Sequence, residues 1–204
     1  MKTSKSIIFT LLFTIILASC NMDKYPYDKI PLESAIESFA DCQKLRTGMY
    51  RDLRIIAVST NVLAAEIQAD GFLPLSYFGN QLGALYRWEA NASESTFSTI
   101  WSNSYVTIAQ CNLLIEGIKR LQTEGKFSDS ELPTVKNYLG EAHLIRAIAY
   151  SILVDKFCAT YDPATAENFY GVPIVDEYSP SADNTKYPSR ATLAATYSLS
   201  LIHI

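Results

Sequence analysis

The sequence predicts an all-α fold of antiparallel helical hairpins with long decorating loops, and three observations predict it. Two long stretches, 95–121 and 133–157, set their apolar residues mostly three and four apart, the spacing of one helix face. Gly125 and Pro133 punctuate the short connection between them, so the two helices fold back on each other as a hairpin. Of the 204 residues, 49% are apolar and only 19% charged, which is enough for one sizeable core and excludes wholesale disorder.

The first twenty residues read as an address. Lys2 and Lys5 precede a mostly apolar run ending at Leu17, the charged and apolar regions of a secretory signal. The run is shorter than the roughly 20 residues that a membrane-spanning helix needs. It closes as Leu17-Ala18-Ser19-Cys20, which looks like a bacterial lipobox, where the cysteine is acylated and becomes the new N-terminus. Residues 1–19 are therefore expected to be a lipoprotein signal peptide and Cys20 the lipid attachment site. Acyl chains anchor at about 0.8 kcal/mol per buried methylene. Asn21 in place of an aspartate gives no signal for inner-membrane retention. Residues 20–31, with their Tyr, Pro and Lys, read as a tether, and the folded domain is expected over 32–204.

A helix is expected from residue 32 to about 53, with Ile36, Phe39, Leu45, Met49 and Leu53 inward and Ser38 or Asp41 capping or restarting it. A second helical piece covers 58–67. Residues 70–95 change character. Gly71, Pro74, Gly79 and Gly83 signal loop, yet Phe72, Tyr77, Phe78, Tyr86 and Trp88 lie among them. The two long helices follow. Residues 158–188 return to loop, with Gly171-Val172-Pro173-Ile174-Val175 as a short extended segment, and a further helix opens at Arg190. The hairpins resemble tetratricopeptide units without a strict 34-residue period.

Charge and cysteine usage narrow the function. The formal net charge is −4, and losing the two signal lysines takes it to −6. No basic surplus exists to neutralise phosphate, which argues against a nucleic-acid partner, and none is expected. Cys42, Cys111 and Cys158 form no CxxC pair, which argues against a zinc or thioredoxin-like site. One disulfide among them stays open, but buried thiols packing as small apolar groups is the simpler reading. No HExxH, GxSxG, GxGxxG or P-loop pattern is present, and no cofactor is expected.

Several segments, taken in order, carry a resemblance. They are the lipobox at Cys20; Trp101-Ser102-Asn103-Ser104-Tyr105; Cys111-Asn112-Leu113-Leu114-Ile115; Gly140-Glu141-Ala142-His143-Leu144-Ile145-Arg146-Ala147; Leu153-Val154-Asp155-Lys156-Phe157; the 171–175 segment; and Ser189-Arg190-Ala191-Thr192. Together they resemble the SusD/RagB family of outer-membrane lipoproteins from Bacteroidetes. The Gly-Glu-Ala…Arg-Ala run followed by Gly-Val-Pro is the most specific part. The resemblance covers residues 20 to about 197 and only the N-terminal two-fifths of the family's usual length, so the chain is expected to be truncated. Residues 199–204 depart from the helix continuation expected there and read as foreign to the gene. Cys158 stands where many relatives have glycine.

The resemblance implies a binding protein and not an enzyme. It would be lipid-anchored in the outer membrane, exposed at the cell surface, and would deliver oligosaccharides to a SusC-like TonB-dependent transporter. Peptide capture, or a helical scaffold without glycan binding, are the alternatives. Sugar recognition needs a flat apolar face for the C–H side of the ring and planar polar groups for its hydroxyls. Tyr86, Arg87, Trp88 and Asn91 supply both within one loop, and Asp70 adds an acceptor at its start. A Trp followed by Asn at this spacing resembles the starch-binding type of the family. The alternative for Trp88 is that it ties the loop to the helices. Glu141, Arg146 and the lone His143 are read as structural, each meeting a neighbouring helix or loop. Glu66 and Asp70 formally satisfy a glycosidase's need for two carboxylates, but nothing raises them above the other acids.

Overall fold

A computed structural model describes residues 35–202 apart from 59, 76, 78, 80–81, 90, 92–94 and 182. The expectations for the signal peptide, Cys20 and the tether lie outside the described residues. The elements in chain order are α1 (Phe39–Ala57), α2 (Thr60–Gln68), α3 (Gly83–Tyr86), α4 (Ser95–Thr123), α5 (Leu132–Phe157), β1 (Tyr170–Pro173), β2 (Arg190–Thr192) and α6 (Leu193–Ile202), with single 3-10 turns at Ala166–Asn168 and Asn184–Lys186. The protein is helical, as its periodicity predicts.

Helix α1 starts where Ser38 caps it. The Ser38 backbone is extended, and its hydroxyl accepts from Asp41 N at 3.3 Å while donating to Asp41 Oδ2 at 2.7 Å. Both cap candidates thus share one capping arrangement. The helix runs past 53 to Ala57 and buries Cys42, Met49, Asp52 and Ile56, a single stripe. That stripe packs on both α4 and α5, which form the predicted hairpin. Their connection turns at Gly125, whose φ of +66° lies in the left-handed region that glycine enters without a Cβ clash. Lys126 N donates to Leu121 O and Gly125 N to Gln122 O, the paired bonds of a Schellman cap. Ser128 reopens the chain toward α5 through two 2.8 Å bonds to the Glu131 carboxylate, and Pro133 sits in the first turn.

The main core joins Ile100 and Ile108 of α4 to Tyr150, Ile152 and Leu153 of α5, with Ile56 and Val172 closing it. Trp101 packs at its edge, edge-on to Phe157 with ring centroids 5.0 Å apart. Cys42 and Cys111 are buried free thiols, and Cys158 is half-buried and also free. Burial pushes the Cys42 thiol up to about 11 and the Cys111 thiol up to about 12.

Two sequence expectations need correction. The 70–95 region is not loop throughout, because Gly83–Tyr86 closes one helical turn, too short for any period to show. Residues 190–192 do not open a helix. They form β2, antiparallel to β1, and β1 is the predicted extended segment starting one residue earlier and ending two earlier. Two contacts hold β2 extended. Arg190 Nε donates to Gly171 O at 2.6 Å, and a Cβ at Gly171 would stand 2.6 Å from Thr192 O. Only a glycine permits that approach. Helix α6 then begins at Leu193 and continues to Ile202, and its Leu199 packs against the main core.

Candidate functional site

The aromatic region between α2 and α4 is built on a small separate core of Ala64, Ile67 and Leu85, with Leu82, Tyr86 and Phe97 packed around it. Helices α2 and α3 both end on this core, and they end in the same way. Gly71 N donates to Glu66 O at 2.7 Å and Asp70 N to Ile67 O at 3.2 Å. Glu89 N donates to Ala84 O at 2.8 Å and Trp88 N to Leu85 O at 3.1 Å. Both are Schellman caps, and their left-handed positions are occupied by Asp70 (φ 60°) and Trp88 (φ 57°) where glycine is usual. A bulky residue held there costs about 1 to 2 kcal/mol of backbone energy.

The geometry sets the sequence candidates apart from one another. Trp88 is 72% exposed, so it does not tie the loop to the helices; its indole stands in solvent. Tyr86, two residues earlier, is half-buried against the small core and supports the turn from beneath. Arg87 is exposed and its Nε donates to Glu89 Oε2 at 2.7 Å. Asp70 is exposed at the end of α2, and the Glu66 side chain folds over Gly71 beside it. Asn91 is exposed beyond the α3 cap. Tyr86, Arg87 and Trp88 therefore share one cap, and Asp70 leaves the same small core from the neighbouring one. Phe72 and Tyr77, noted in the sequence only as loop aromatics and not as ligand candidates, are also 55% and 76% exposed. The only available signal was their place among the loop aromatics.

The motif residues of the hairpin serve the scaffold, as read. Glu141 accepts both Arg46 Nε and Arg46 Nη2, the latter at 2.8 Å, across to α1. The Arg46 guanidinium also lies 4.9 Å from the Tyr50 ring centre and 5.0 Å from that of Tyr138. Buried Arg146 donates to Asn112 Oδ1 at 2.8 Å and lies 3.2 Å from His143 Nδ1. Asn112 in turn donates to Val175 O at 3.0 Å and Glu177 O at 3.3 Å. Tyr150 exchanges two bonds with the Val175 backbone, and Tyr105 donates to Pro173 O at 2.8 Å. Burial pushes both tyrosine hydroxyls upward, so they stay protonated donors. A polar groove of about 520 Å³ opens beside His143, Arg146, Glu116 and Tyr178. Arg146 and Glu116 are engaged in fixing the 173–178 segment, Glu116 through Tyr178 N at 2.5 Å. Among the described residues, no group of three or more His, Cys, Asp and Glu gathers as a metal site.

A family model described as SusD-like, starch-binding and associating with the outer membrane matches residues 22–200. Three solved structures have the same fold. A SusD superfamily protein from Bacteroides fragilis is 15% identical over 83% of this chain and 38% of its own, with a TM-score of 0.60. A candidate sugar-binding protein from Bacteroides vulgatus is 22% identical over 84% and 36%, at 0.60. A SusD superfamily protein from Bacteroides thetaiotaomicron is 22% identical over 82% and 36%, at 0.59. The chain thus spans under two-fifths of the solved proteins it matches. Comparison with curated proteins finds no match.

Proposed function

The chain belongs to the SusD-like family, described as starch-binding and associating with the outer membrane, and on that premise we propose that it captures glycans at the cell surface. Trp88 is the platform. Its indole is 72% exposed on a left-handed turn. That single observation carries the reading. A sugar's C–H face would stack on the indole, and Asp70, Arg87 and Asn91 would bond its hydroxyls. Tyr86 would hold the turn from below.

Acylation at Cys20 would keep the protein at the outer membrane. A SusC-like TonB-dependent transporter would receive the captured oligosaccharide. Capture requires binding without bond cleavage, so no acid and base pair is assigned. The test is calorimetric titration of the whole chain with starch-derived and other oligosaccharides, wild type against Trp88→Gly. Binding that vanishes with the indole supports the proposal. Unchanged binding in the variant refutes the assignment of Trp88.

A further inference from the structure

Half-buried His143 meets buried Arg146 on the next turn of α5, with Nδ1 3.2 Å from Nη2. A guanidinium stays charged and can only donate. The acceptor is therefore Nδ1, and the imidazole is neutral with its proton on Nε2. A proton added to Nδ1 would remove that bond and set two cations in contact. The polar groove of about 520 Å³ beside this pair offers other partners. Glu116 and Lys119 line it from α4, Asp176, Glu177 and Tyr178 from the segment after β1, and Arg146 from the histidine's own helix, while α6 contributes Leu199. Three acids thus stand in the groove that the imidazole borders.

The same groups fasten the chain after β1. Arg146 holds Asn112, Asn112 holds the carbonyls of Val175 and Glu177, and Glu116 holds Tyr178 N. We propose that His143 is an acid-sensitive latch on residues 176–178, closed when its imidazole is neutral and opened when it is protonated. Neutral, the ring completes the arm that runs through Arg146 and Asn112. Protonated, it leaves Arg146 for the groove carboxylates and draws Glu116 from Tyr178 N. An imidazole titrates near pH 6.5, so the latch holds above that range and lets go below it. The two Tyr150 bonds to the Val175 backbone involve no group that titrates there, and they keep the start of the segment on α5. The latch is independent of the reading of Trp88.

Amide hydrogen exchange of the whole chain tests this, corrected for the intrinsic pH dependence of exchange and read between about pH 7.5 and about pH 5, either side of the imidazole range. Protection of Tyr178 N, taken relative to the amides of the α4–α5 hairpin, is expected to fall at least about fivefold on acidification. Its midpoint should coincide with the titration of the His143 ring followed by nitrogen NMR on the same wild-type protein. The NMR should also place the ring proton on Nε2 at the higher pH. In His143→Gln, whose amide oxygen accepts from Arg146 and does not titrate, protection should stay level. A proton on Nδ1 at the higher pH, relative protection that acid leaves unchanged, a midpoint apart from that of the ring, or an equal loss in His143→Gln would each overturn the latch.

Discussion

Asp70 and Trp88 occupy equivalent positions in two neighbouring helix ends. Each is the left-handed residue of a Schellman cap, at φ 60° and 57°, three residues beyond a member of one shared core pair, Ile67 and Leu85. The backbone would accept glycine at both places more readily. The sequence instead puts a carboxylate and an indole there, and both are exposed. Side chains retained against backbone preference are candidates for function.

Trp88→Gly should separate the two roles. Relief of the left-handed strain is expected to offset the entropy glycine adds to the unfolded chain, leaving stability unchanged or raised by up to about 1 kcal/mol. Glycan affinity should fall by more than about tenfold. Thermal melting and calorimetry on the same samples check both.

Glu141→Ala strands Arg46 between two tyrosine rings. The bonds and charge of Glu141 hold the Arg46 guanidinium firmly protonated, and both side chains are only partly exposed. A loss of about 1 to 2 kcal/mol is expected, below that of a fully buried pair. A double-mutant cycle with Arg46→Ala measures the coupling by urea denaturation. Additive losses would refute it.

Asn112→Ala removes the bridge between Arg146 and the 175–177 backbone. Arg146 is 4% exposed, so its guanidinium would lose its bond to Asn112 away from water. A cost of about 2 to 4 kcal/mol is expected. Limited proteolysis should then cut at residues 174–180 in the variant before it cuts the helices.

Asp41 sets part of the acid limb of the stability curve. Hydrogen bonds from Ser38 and then Lys44 hold its carboxyl below the ordinary aspartate value. A lowered folded-state value contributes stability above the unfolded aspartate value, about 3.9, that is lost as pH falls through the folded one. Asp41→Asn should therefore melt lower than wild type at neutral pH, and the difference should close below about pH 3.9. A gap that persists in acid would show that the bonds, and not the charge, carry the effect.

The long helices were legible because Ile100, Ile108, Ile115 and Ile118 repeat at helical spacing, and burial follows that period. Their polar core residues were not legible as such. Ser104 and Thr107 are buried because each hydroxyl bonds a carbonyl one turn back, at 2.8 and 2.9 Å, which satisfies them without a distant partner. Asn112 lies on the buried face of α4, but its partners, Arg146 and the backbone of Val175 and Glu177, are far away in sequence. The strand at Arg190–Thr192 is too short for alternation, and Gly171, on the facing strand, settles it. At the candidate site, composition pointed to Trp88. Its exposure and left-handed backbone could not be read, because sequence rules expect glycine in that position.

The β1–β2 pairing has a further consequence. It stitches together the two ends of the 174–189 segment, whose first residues are already fixed on α4 and α5. Farther along the segment the Tyr187 hydroxyl donates to Ser181 O at 3.0 Å, a bond between two of the segment's own residues. Doubling the length of a loop whose ends are already held adds only about 0.6 kcal/mol of closure entropy. Residues 179–189 are thus a place where insertions can accumulate and new surfaces can be tried while the scaffold keeps its stability.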